Sequence, residues 1–104
     1  MEPFKTVLIK SNGKVKDTDR NVPVSQVRYE NVRWVDRDNA GPWKITFDKN
    51  VNGSPFTHTV YDVPAGGDVT TAGGPEAGTV GTTYSYSVRN ASSTITDDPD
   101  VEVE

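Results

Sequence analysis

The sequence predicts an all-β protein, an antiparallel Greek-key β-sandwich of about eight short strands, on three observations. Leu occurs once, at Leu8, and Ala five times, whereas Val and Thr together supply 27 of the 104 residues. Side chains branched at Cβ lose χ1 freedom in a helix and pack well on a pleated surface, so this composition excludes a helical bundle. Turn residues punctuate the chain about every 8–15 residues, as sandwich turns do. No stretch carries an apolar stripe of 3.6-residue period. Residues 1–104 make one domain of common size, long enough to bury roughly two-thirds of its unfolded surface.

The elements follow from alternation and turn chemistry. Thr6 to Lys10 reads as a first strand, and Asn12-Gly13 is a strong hairpin signal, with Lys14 to Lys16 returning. Thr18 to Pro23 is polar, ends in Pro and reads as loop. Val24 to Tyr29 suits either a strand edge or a helical turn. Asn31 to Asp36 is a strand with Val32 and Trp34 on one face, and Trp43 to Asp48 places Trp43, Ile45 and Phe47 together. A turn at Val51 to Ser54 leads to strand Thr57 to Val63, and Gly66-Gly67 leads to Asp68 to Thr71. Residues 72–81 are Gly-rich and form a long loop. Thr82 to Arg89 is the clearest strand, with Tyr84, Tyr86 and Val88 on one face. The last strand is Thr94 to Thr96, Val101 to Val103, or both.

Several function classes are excluded. Without Cys there is no disulfide, thiolate nucleophile or iron–sulfur cluster, and a single His leaves little for a zinc site or a catalytic triad. The net charge of −4 argues against nucleic acid, which is bound through clustered Lys and Arg. Residues 1–37 carry eight basic and five acidic groups, read as solvated strand faces that deter edge pairing. The Gly-rich loop has no following Lys and no helix to supply a dipole, so it is not a phosphate cradle. His58 reads as a solvated or hydrogen-bonded histidine, and no nucleophile-elbow or dinucleotide motif is present. The sequons Asn52-Gly53-Ser54 and Asn90-Ala91-Ser92 are near the about one expected by chance. No apolar leader or span follows Met1, so the chain as written is expected in the cytoplasm. A secreted or periplasmic protein whose leader Met1 replaces would read the same.

The segment from Asn31 through Trp34, Asp36, Gly41-Pro42 and Trp43 to Phe47 and Asp48 resembles the central strand pair of the cupredoxins, the plastocyanin-like blue copper proteins. Tyr84-Ser85-Tyr86-Ser87-Val88 similarly resembles that family's aromatic-x-aromatic-x-Cys strand. The two segments cover about 25 residues and lie in the family's order. The resemblance implies a cupredoxin-like sandwich whose copper-ligand positions are vacated. Trp43 stands at the first His, after a loop one residue longer than usual; Val88 stands at the Cys; Ala91 stands at the second His. Thr94 to Thr96 occupy the place of the axial Met. A blue copper centre needs two imidazoles, a thiolate and a weak axial ligand, so the family's chemistry does not carry over. In that fold the first and last strands lie side by side, which would set Lys5, Lys10, Lys14 and Lys16 near Glu102 and Glu104.

Two further groups stand out. Asp97, Asp98 and Asp100 open a tail rich in carboxylates, a candidate hard-cation site whose plainer reading is a solvent-facing edge strand. Trp34, Trp43, Tyr84 and Tyr86 sit at core parity, leaving Tyr29 and Tyr61 as possible ligand contacts. The expected protein is a non-catalytic, monomeric binding or structural module. It has no cofactor, no nucleic-acid or membrane partner, and a protein or small ligand yet to be identified. The alternative is a carbohydrate- or calcium-binding module on an immunoglobulin-like sandwich.

Overall fold

In the computed structural model, residues 3–47 and 53–104 are described. They form ten strands in three sheets, with no α-helix among the described residues. The first sheet sets β1 (Phe4–Ile9) and β6 (Asp68–Thr70) on either side of β3 (Asn31–Asp36). In the second, β10 (Asp100–Val103) runs between β2 (Asn21–Val24) and β7 (Thr83–Ser85). The third is β5 (Val60–Val63), β4 (Trp43–Thr46), β8 (Ser87–Arg89) and β9 (Ile95–Asp97), in that order.

All-β composition is therefore correct, but a wholly antiparallel arrangement is not. β1 runs parallel to β3, and β10 parallel to β2, while the other pairings are antiparallel. The last strand lies beside β2 and β7 rather than beside β1, so β1, with Lys5, does not pair with the strand that carries Glu102. Strands also outnumber the expected eight because two long runs are each broken. Residues 83–89 change sheets at Tyr86, whose N–H donates to Pro99 O at 3.0 Å. Residues 95–103 change sheets at Asp98-Pro99, where Pro has no N–H for the ladder.

Other boundaries moved for local reasons. The polar stretch Thr18 to Pro23 is half strand: Val22 and Val24 alternate inward, and Pro23 is tolerated because β2 is an edge. The strand expected from Thr57 begins only at Val60. Asn12-Gly13 does turn the chain, with Gly13 at φ +80° donating to Lys10 O and Val15 bridging back to Ile9. Val24 closes β2, and residues 26–29 form a turn in which the Tyr29 N–H donates to Gln26 O at 3.1 Å. Asp48 and the start of the Val51 to Ser54 turn, with Asn52 of its sequon, lie outside the described residues.

One apolar cluster draws on all three sheets. Trp34 is its centre, with Tyr61 and Tyr86 each at 5.5 Å and Phe47 at 6.2 Å between ring centroids. All four residues expected at core parity, Trp34, Trp43, Tyr84 and Tyr86, are buried. The Cα radius of gyration is 12.5 Å, matching the roughly 13 Å of a compact chain of this length.

Candidate functional site

The site begins with Asp36, buried at the end of β3. Its carboxylate accepts N–H groups from Ala40 (3.1 Å), Gly41 (2.8 Å) and Gly66 (2.9 Å), and the Trp43 indole N–H (3.1 Å). Burial by itself would raise the carboxyl pKa; the donors from Gly66, Gly41, Trp43 and Ala40 outweigh it and hold the group below its ordinary 3.8. Gly41 has no room for a side chain, since a Cβ there would lie 2.9 Å from Asp36 Oδ2. Asp36 thereby folds the 37–42 loop, with its cis Gly41-Pro42 bond, back over the sheet and fixes the Trp43 ring.

A second wall comes from the turn after β8. Asn90 Oδ1 accepts the N–H groups of Ser92 and Thr94, each at 3.0 Å. The Asn90 N–H donates to Thr94 O at 3.0 Å and Ser93 N–H to Asn90 O at 2.9 Å, holding Ser93 in the left-handed region at φ +64°. Arg89 Nη1 ties down Ser93 O at 3.0 Å. A non-glycine residue at positive φ persists only where its surroundings over-determine it, as these five hydrogen bonds do.

Between these walls opens a pocket of about 240 Å³. Pro42, Trp43 and Lys44 contribute from the start of β4, Asp62 from β5, and Asn90, Ala91 and Ser93 from the turn. Lys44 and Asp62 are cross-strand neighbours whose charged atoms stand 4.0 Å apart, both well exposed. Trp43 itself is 6% exposed, so it supports the pocket more than it lines it.

The positions singled out from the sequence divide clearly. Trp43 and Ala91 are brought to this one pocket although 48 positions separate them. Val88 is fully buried, opposite Ile45 on β4. Tyr61 is a core residue rather than a surface contact: its ring packs on Trp34 and its hydroxyl accepts the His58 N–H at 3.3 Å. Tyr29 does stay on the surface, 56% exposed and held at φ +55° against Gly74, but away from the pocket lining.

The carboxylates of the tail do not converge. Asp97 is buried and accepts Arg20 Nη1 at 2.7 Å and the Val15 N–H at 2.9 Å. Asp98 accepts the Ser87 hydroxyl, and Asp100 the Ser85 hydroxyl at 2.6 Å. Among the described residues no group of three His, Asp or Glu side chains could hold a metal ion. Nothing in the sequence pointed to the Lys44, Asp62, Asn90 and Ser93 rim, because those residues are ordinary surface types assembled only by strand order. No family model, curated protein or solved structure matches this chain.

Proposed function

We propose that this chain is a cupredoxin-like β-sandwich without copper chemistry, a non-catalytic binding module whose ligand enters the Trp43–Ala91 pocket. The convergence of Trp43 and Ala91 on one pocket, with Val88 buried in the adjoining strand, carries the reading. These are the positions that the resemblance aligns with ligands of a single copper ion, and random strand similarity gives no reason for them to meet. The strand order lends support. The runs 83–89 and 95–103 link the second and third sheets, as they would if those two sheets made one layer of the proposed sandwich and β1, β3 and β6 the other. Function resides in sites rather than in folds, so the pocket and not the topology is where binding is to be sought.

The rival, an immunoglobulin-like module, would stack carbohydrate on an exposed flat aromatic pair or bind calcium through converged carboxylates. Trp43 and Tyr61 are buried and Asp97 is committed to Arg20, which favours the first reading.

A thermal-shift screen against small-molecule classes tests the proposal. A ligand that binds only the native state adds about 2.7 kcal/mol at one hundred times its Kd. At least one class should raise the melting temperature of the protein and leave Ala91→Trp, with its pocket filled, unmoved. Shifts equal in both proteins, or none in either, refute the reading.

A further inference from the structure

We infer that the pocket takes a single neutral polyhydroxylated ring, a monosaccharide or cyclitol, with its C–H face against Pro42 and Ala91. This rests on the binding-module reading above and assigns its ligand class.

Size is the first constraint. About 240 Å³ lies below the roughly 300–1,000 Å³ of pockets for drug-sized ligands, leaving space for one ring. Charge is the second. Lys44 and Asp62 stand together on the rim, so neither an anion nor a cation meets a field of one sign. Their side chains are 52% and 79% exposed, and ion pairs so open to water contribute little. Affinity must then come from apolar contact and neutral hydrogen bonds.

The free polar atoms supply the third constraint. Asn90 Oδ1 is consumed by Ser92 and Thr94, so its Nδ2 remains as a donor. The Ser93 hydroxyl both donates and accepts, and no partner engages it among the described residues. Lys44 adds donors and Asp62 acceptors. An array of separated donors and acceptors beside the exposed apolar surfaces of Pro42 and Ala91 suits a ring that carries hydroxyls at its edge and C–H groups on its face. A flat aromatic ligand would leave these groups unpaired, at the cost of their desolvation. The wall is also fixed beforehand, since the 90–94 turn is already hydrogen-bonded around Ser93, which lowers the ordering cost of binding.

The test is a two-dimensional amide NMR titration of the intact protein, read at the Trp43 indole and Asn90 side-chain signals. The probes are methyl β-D-glucopyranoside, myo-inositol, sodium acetate and glycine betaine. The two polyols should move both signals saturably, with Kd on the order of millimolar. Asn90→Asp keeps an acceptor for the turn and removes the amide donor; it should weaken polyol binding at least fivefold, and Ala91→Trp should abolish it. If acetate or betaine saturates the site and the polyols do not, the ligand class is wrong while the pocket reading survives. If no probe moves either signal, the ligand class is wrong, and the pocket reading is decided by the thermal-shift screen above. If polyols move the Trp43 signal equally in Ala91→Trp, binding lies elsewhere and the assignment is overturned.

Discussion

The Trp43 indole N–H and the Asp36 carboxylate, 3.1 Å apart and both buried, join the first residue of β4 to the last residue of β3. Through this bond the loop between the two strands, the Trp43 ring and the pocket above it form one unit. Trp43→Ala should cost about 3–5 kcal/mol, as truncation of a core aromatic does. Trp43→Phe keeps most of the packing but removes one of the two donors on Asp36 Oδ1, and should cost about 1–3 kcal/mol. Urea denaturation of both variants checks the order; a loss below about 1 kcal/mol for the Ala variant would mean the ring carries no packing.

Stability should fall in acid for a nameable reason. Burial acts to raise the carboxyl groups of Asp36 and Asp97, but their donors prevail and hold both below 3.8 in the folded protein. For Asp97 the donors are Arg20 and the Val15 and Asp98 N–H groups. A carboxylate with a depressed folded pKa contributes fully above its unfolded value, near 3.9, and loses that contribution as pH drops through the folded value. Melting temperature should be insensitive to these two groups above about pH 5 and fall below pH 4. In Asp97→Asn the acid slope should be shallower, and an unchanged slope would exclude Asp97 as a source.

Tyr86 offers the opposite expectation. Its hydroxyl is fully buried, and neither it nor the Trp34 indole N–H beside it makes a hydrogen bond of good geometry among the described residues. Burial pushes the phenol well above its ordinary value of 10, so it stays neutral. Since the hydroxyl has already forfeited its water, Tyr86→Phe should change stability by less than about 1 kcal/mol in either direction. A loss above about 2 kcal/mol would reveal a partner for that oxygen.

Deleting residues 101–104 should unfold the protein. Val101 and Val103 are buried, and their strand supplies the ladder for both β2 and β7. Circular dichroism of the truncated chain should lose its strand signal at room temperature, and a folded product would show that β10 is dispensable.

Copper reports on the alignment. With no Cys, the unmodified chain should give no intense visible band on adding Cu(II), because that band needs a thiolate on the metal. Val88→Cys alone should also stay colourless, while Trp43→His, Val88→Cys and Ala91→His together supply three strong ligands. A blue species from the triple variant supports the alignment of all three positions, and colour from the unmodified chain refutes it.

Much of this was legible in the sequence because alternation speaks directly to burial: Val32 and Trp34, or Tyr84, Tyr86 and Val88, could face only inward. What escaped is non-local. Pro23 inside β2 reads as a breaker until the strand is known to be an edge, and Val22 and Val24 alone are too short a pattern to overrule it. The parallel pairings of β1 with β3 and β10 with β2 leave no local signature, since a parallel partner is set by topology. Tyr61 looked available only because its neighbours in space, Trp34 above all, are remote in the chain. The pocket rim was invisible for the same reason.

The parallel pairing of β2 with β10 also sets a timetable. Asn21 and Glu102, 81 positions apart, come together in the second sheet, and β10 is also the partner of β7. Closing so long a loop incurs its entropy cost before any contact offsets it, which places such folds among the slower ones, in milliseconds to seconds. Until Asp100–Val103 arrives, β2 and β7 stand with open backbone edges on a half-built molecule. The nascent chain is therefore most prone to aggregation just before its final strand docks, and the speed of that docking governs how much of it survives to the native state.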